Sequence, residues 1–151
     1  MQRTVESGGY LPWTMSIFGS GFTSVSPTKV SVKHTRQLEK LFKHPPLKSR
    51  DAQKKFLSCW SPALYEDGQT RKNANVKKLS ALVYDFDSTT VAPQLAANKL
   101  REDNRAFAIY TTWSHTKANP RFRLVLFTSR DILPHEFKNV WENGLSLIDF
   151  I

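Results

Sequence analysis

At 151 residues, 40% hydrophobic and 12% aromatic, the chain has the size of one domain with a buried core. Its single cysteine, Cys59, excludes an intrachain disulfide. With neither a membrane-length apolar run nor a signal-peptide pattern, the sequence is expected to be cytoplasmic. The net charge of +9 calls for a polyanionic partner, and it is unevenly placed: residues 1–80 hold 14 Lys and Arg against 5 Asp and Glu, whereas residues 81–151 hold 8 of each.

In chain order, residues 1–11 read as irregular, broken at Gly8-Gly9. "WTMSIFG" (13–19) has strand character and stops at Gly19-Ser-Gly21. "HTRQLEKLFKH" (34–44) places Leu38, Leu41 and Phe42 at helical spacing, and Pro45-Pro46 ends it. Residues 47–77 are polar and basic, with one short strand expected within "FLSCWSPALY". A strand follows over 78–87, then a helix over 91–102 with its Ala and Leu residues inward. Strands over 105–113 and 121–128 flank the turn "SHTKANP". The helix over 133–147 is opened by Pro134. Together these predict a single α+β domain. Its basic N-terminal α/β portion (1–77) precedes a core (78–151) whose sheet carries helices on one face and leaves the other free for a ligand.

The strand ending in "LVYDFDSTT" (82–90) carries the most chemistry. Side chains at i and i+2 share a face, so Val83, Asp85 and Asp87 lie together, opposite Leu82, Tyr84 and Phe86. Two adjacent carboxylates repel unless a cation lies between them. Such a pair can hold two divalent ions about 3.5–4 Å apart for phosphoryl transfer, and hard oxygen ligands favour Mg²⁺ or Mn²⁺. On this ground, Asp85→Asn is expected to leave ligand-free stability unchanged or raised. Asp87 or Ser88 would also suit a helix cap; Asp85 lies too far inside the strand for that.

In "YTTWSHTKANPRFRLVL" (110–126), Thr112, Ser114 and His115 end one strand and Arg121 and Arg123 begin the next on a common face. A histidine near a turn is more often structural, and alternating arginines often mark a solvent face. Their agreement with the Asp pair favours phosphate binding through guanidinium. Lys54, Lys55 and Trp60, and further on Arg71 and Lys72, interleave basic and aromatic residues in the manner of single-strand binders.

Four motifs in order resemble the catalytic domain of plasmid and phage replication proteins of the archaeo-eukaryotic primase superfamily. They are "KK…WSPALY" (54–65), "RKNANVKKLSALVYDFDSTT" (71–90), "YTTWSHTKANPRFRLVLFTSRDI" (110–132) and a Pro-led helix ending in "LSLID" (145–149). The resemblance implies an RRM-like primase-polymerase core and two-metal nucleotidyl transfer on a single-stranded DNA template. Asp85 and Asp87 would form the first metal motif, and Asp149 is the candidate for a third acid. Ser114, Arg121 and Arg123 would bind the nucleoside triphosphate; Lys54, Lys55, Arg71 and Lys72 would bind DNA. The family's second motif centres on a His inside a strand. Here His115 precedes the turn and Arg123 occupies the strand position, so either residue would serve it. A non-catalytic DNA-binding module of a replication initiator and a metal-dependent nuclease are the alternatives. Because the chain stops where another acid and strand would follow, it is expected to be part of a longer replication protein, with a helicase domain downstream as a further partner.

Overall fold

Alternation along two eleven-residue strands sets the architecture. The computed structural model describes residues 3–6, 12–19, 23–33, 35–42, 58–87, 89–112 and 114–151, with backbone alone for 3–6, 35, 36 and 41. β1 (Arg3–Glu6), β5 (Ala63–Tyr65), β6 (Val76–Phe86), β7 (Phe107–Thr111) and β8 (Phe122–Ile132) form a five-stranded sheet in the order β1-β7-β8-β6-β5. β8 runs antiparallel to both neighbours, so β6 and β7 are parallel with β8 between them. Leu82, Tyr84 and Phe86 of β6, Phe107 and Ile109 of β7, and Phe122, Leu124 and Leu126 of β8 point to one face. There they meet α2 (Pro93–Glu102) and α3 (Phe137–Leu145). Phe107, Phe122 and Leu124 are fully buried, each worth roughly 1.5–3 kcal/mol of transfer free energy.

The mixed α and β content is as the sequence indicates; the opposite face differs from expectation. A second antiparallel sheet, β3-β2-β4, is built from β2 (Trp13–Phe18), β3 (Thr28–Val32) and β4 (Cys59–Ser61). With α1 (Thr35–Leu41), it covers most of the face expected to be free. Trp13, Met15, Val32, Leu38 and Phe42 pack there against Ala81, Ala108, Tyr110, Val125 and Phe127. Trp13 lies flat on Phe127, with centroids 3.5 Å apart. The physical reason is that Ala81, Val83 and Val125 make that face apolar over most of its length, and an apolar face must be covered. Only its end, where Asp85 and Arg123 replace aliphatic residues, stays open.

Local chemistry explains the boundaries. Pro93 opens α2 in its first turn. Asn104, at φ 53°, closes it in the left-handed region that asparagine tolerates, and the Arg105 N–H bonds back to Leu100 O. β8 runs to Ile132, beyond the predicted Thr128, because its pairing with β6 shifts register there. Thr128 Oγ1 donates at that point, lying 3.2 Å from Ser80 O and 2.6 Å from Arg130 O. α3 begins three residues after Pro134, behind a turn in which the Glu136 N–H bonds Leu133 O.

Glu136 fixes that turn. Its carboxylate accepts both Arg130 Nη groups, at 2.9 and 2.8 Å, and the Leu133 N–H at 3.0 Å. The Arg130 hydrogen bonds hold its pKa down at about 2, against an ordinary 4.5. A carboxyl whose folded pKa is depressed stabilises the fold above its unfolded value, and the contribution is lost as pH falls through the folded one. Glu136→Gln is therefore expected to flatten the decline in stability between about pH 4.5 and 2. Urea midpoints measured across that range check this; an unchanged acid slope would show that the pair does not act.

Candidate functional site

The open end of the sheet face is built by neighbouring strands. Asp85 on β6 stands directly opposite Arg123 on β8, and Arg123 opposite Tyr110 on β7. The cross-strand pair is bidentate: Arg123 Nε lies 2.5 Å from Asp85 Oδ1 and Nη2 lies 2.8 Å from Oδ2. Arg123 Nη1 donates to the Tyr110 hydroxyl at 3.2 Å, and Trp60 Nε1 donates to the same oxygen at 3.0 Å. Behind them Phe42 stacks on Tyr110, with ring centroids 4.4 Å apart. Burial pushes the Tyr110 hydroxyl pKa up, while Arg123 pulls it down. Arg123 is held firmly protonated by its Asp85 and Tyr110 partners against the cost of its own burial.

Asp87 lies one step beyond β6, with Arg121 Nη1 4.0 Å from its Oδ1. Arg121 is less well satisfied than Arg123. Its Nε is buried and has no acceptor among the described residues, a donor that is satisfied only if the side chain turns to another partner. His115 secures the connecting turn: Nδ1 accepts the Arg121 N–H at 3.1 Å and the His115 N–H bonds Thr112 O. Accepting at Nδ1 puts the imidazole proton on Nε2, which leaves that nitrogen as a donor. Ser114 is exposed in the same turn.

The structure thus brings Asp85, Asp87, His115, Arg121 and Arg123 to one end of the sheet, with Ser114 in the adjoining turn. It does not group Asp149 with the Asp pair, and it places Arg71 and Lys72 before the opposite end of β6. The described residues contain no group of three or more His, Cys, Asp or Glu side chains able to share a metal ion. Asp149 is exposed, between Ile148 and Phe150, which pack into the core on the helix side of the sheet. Arg71 lies over the Phe18 ring at 4.9 Å, and Lys72 precedes the 3-10 turn that leads into β6. Both sit at the start of β6, roughly 30 Å along the strand from Asp85 at a rise of about 3.3 Å per residue. Lys54 and Lys55 lie outside the described residues. Tyr110 and Trp60 are the partners that motif reading missed. The alternation Ala108-Tyr110 against Phe107-Ile109 would have placed Tyr110 on the Arg123 face.

As a metal centre, the Asp pair has hard oxygen donors, partly exposed at a strand end. Each carboxylate nevertheless already faces a guanidinium, so the repulsion that would invite a cation is already compensated. A bare divalent ion would have to displace Arg123 from both Asp85 oxygens, and the residues do not fit it in this arrangement. A cation that arrives with a polyphosphate is a different case, because each guanidinium then gains an anion in exchange. Two cavities lie elsewhere among the described residues. One of about 470 Å³ lies beside α3 on the helix side and one of about 370 Å³ beside the start of β6, neither lined by Asp85, Asp87, Arg121 or Arg123.

Comparison with protein families gives a match to the VapE N-terminal domain over residues 33–144. The match covers most of the chain. This chain belongs to the VapE N-terminal domain family. The VapE family is associated with plasmid and phage replication, which places this VapE-type domain among the replication-related proteins of mobile elements. Neither the curated proteins nor the solved structures provide a match. Among the described residues of the VapE domain, no helix is long and apolar enough to cross a membrane.

Proposed function

We propose that this VapE-type domain is the primase-polymerase domain of a plasmid or phage replication protein, an RRM-like core acting in the cytoplasm on single-stranded DNA. A single observation carries the reading: two carboxylates at one strand end, each faced by an arginine from the neighbouring strand side, with a buried Arg121 N–H that has no acceptor among the described residues. Ion pairs of this kind suit a partner exchange. Arg121 and Arg123 turn to triphosphate oxygens, and Asp85 and Asp87 become free as ligands for Mg²⁺ or Mn²⁺ bound with the nucleotide. When bound, the ions would supply activation of a 3′-hydroxyl and neutralisation of the leaving pyrophosphate. His115 offers its Nε2 proton to a phosphate oxygen and holds Arg121 in register. Arg71, Lys72, Lys54 and Lys55 would bind the DNA backbone with a salt-dependent affinity. A helicase domain downstream is a natural partner for such an activity.

The test is Mn²⁺ binding with and without a non-hydrolysable nucleoside triphosphate, alongside incorporation of labelled nucleotide on a single-stranded template. Mn²⁺ alone is expected to bind weakly, and together with the triphosphate at least about tenfold more tightly. Arg123→Ala should weaken triphosphate binding more than DNA binding, while Arg71→Ala and Lys72→Ala do the reverse and lower the salt slope for DNA. No gain in Mn²⁺ affinity from the triphosphate would sink the proposal. A second reading, a DNA-binding module without synthesis, is favoured by the satisfied Asp85 carboxylate and by the lack, among the described residues, of a third acid grouped with the pair. DNA binding without any triphosphate binding would establish it. A metal-dependent nuclease would instead need metal but no triphosphate.

A further inference from the structure

Tyr110 accepts hydrogen bonds from two residues that belong to different sheets. Trp60 donates from β4 of the three-stranded sheet at 3.0 Å, and Arg123 from β8 of the five-stranded sheet at 3.2 Å. These two N–H groups occupy both lone pairs of the phenolic oxygen. The ring itself is almost fully enclosed, 5% exposed, and is clamped by Phe42 on one side. Among the described residues, Arg123 is otherwise held by Asp85 alone, through the two bonds to its carboxylate. An arginine has a long flexible stem, and a guanidinium that loses its carboxylate partner loses its orientation unless something else holds the plane.

We propose that Tyr110, itself fixed by the Trp60 indole N–H, is the positioning residue that keeps the Arg123 guanidinium in the site when Asp85 is given up to a ligand. The inference rests on the partner exchange described under Proposed function. It adds that the N-terminal sheet does more than cover the apolar face. Through Trp60 it supplies the donor that orients the phenolic oxygen, and through that oxygen it holds a phosphate-binding group in place. In the ligand-free protein Arg123 has two anchors. With Asp85 engaged elsewhere it has one, and that anchor comes from Tyr110.

The variants that test this are Tyr110→Phe, which keeps the ring on Phe42 and removes the hydroxyl, and Trp60→Phe, which removes only the indole donor. The first readout is the Arg123 Nε–H resonance in the ligand-free protein, assigned by its loss in Arg123→Lys. The second is affinity for Mg²⁺ with a non-hydrolysable adenosine triphosphate analogue, compared with affinity for single-stranded DNA. In Tyr110→Phe the resonance is expected to move and to exchange faster with water. Affinity for the analogue is expected to fall about tenfold, with DNA affinity changed less than about twofold. Trp60→Phe should move the same resonance by a smaller amount, and it decides the question if Tyr110→Phe fails to fold. An Arg123 resonance unmoved in folded variants would make Tyr110 a packing residue and overturn the inference. Equal losses of analogue and DNA affinity would overturn it too. If the unaltered protein does not bind the Mg²⁺ analogue at all, the nucleotidyl-transfer reading fails. The resonance still decides whether Tyr110 positions Arg123.

Discussion

Asp85→Asn is expected to lower the stability of the ligand-free protein by about 1–2 kcal/mol and to abolish triphosphate-dependent metal binding. Like-charge reasoning gives the opposite sign for stability, since removing one of two neighbouring carboxylates relieves repulsion. The geometry reverses it. Asp85 is bound at both oxygens by Arg123, and Asp87 has its own guanidinium 4.0 Å away, so the dominant neighbour of each carboxylate is a positive charge. Asparagine accepts one of the two Arg123 N–H groups but turns an amide N–H₂ toward the other. It also leaves a partly buried guanidinium without its counter-charge. The loss stays well below the roughly 3–5 kcal/mol typical of breaking a buried pair, because the side chains of Arg123 and Asp85 are 34% and 49% exposed. Urea unfolding without metal or nucleotide measures the effect. Unchanged or raised stability would mean that repulsion between the aspartates outweighs the pair with Arg123. A second outcome follows from the same bonds: Arg123→Ala should restore to Asp85 the repulsion that like-charge reasoning assigns to it, so Mn²⁺ alone should bind the Arg123→Ala protein more tightly than the unaltered one.

The sequence was most readable where periodicity is unbroken. Val76–Phe86, Pro93–Glu102 and Phe107–Thr111 fall close to the predicted strand, helix and strand, and Ala96, Ala97 and Leu100 face inward as expected. The placement of Asp85 and Asp87 at a strand end, and of Arg121 and Arg123 beside them, likewise follows from a period of two. What could not be read was long-range partnership. Nothing local in "WTMSIF" or "TKVSV" says that these strands pair with each other and with Cys59–Ser61 to cover the sheet face bearing Asp85. Nor does local sequence say that Asp85 meets Arg123, because that depends on the register between strands almost forty residues apart. A one-residue slip would have paired Asp85 with Phe122 or Leu124 and left both charges without partners. In the sequence the Asp pair invites a cation because its arginines are distant there. In the fold they are adjacent, and the site becomes a place for exchanging ions.

Gly144→Ala is expected to destabilise the protein by about 2–3 kcal/mol, although alanine is the better helix former by roughly 1 kcal/mol. Gly144 is buried in α3 where the helix crosses β6. A β-carbon there would overlap the Tyr84 hydroxyl and come within 2.7 Å of Leu82 Cδ1. Tyr84 cannot step aside cheaply. Its ring stacks on Trp141 with centroids 5.3 Å apart, its hydroxyl donates to Trp141 O at 2.9 Å, and burial pushes its pKa up to about 12. Moving it breaks that hydrogen bond and leaves a buried hydroxyl unsatisfied, a cost of roughly 1–3 kcal/mol. For a domain of this length the loss corresponds to a fall of about 4–12 °C in Tm. Gly144→Ala combined with Tyr84→Phe separates the causes: removing the hydroxyl removes the closest overlap and leaves the 2.7 Å approach to Leu82 Cδ1, so the double variant should recover part of the loss relative to Gly144→Ala alone. If Gly144→Ala instead raised Tm by the amount its helix propensity allows, α3 would not approach β6 as closely as the packing of Tyr84 requires. The sheet would then be held on its helix side mainly by α2.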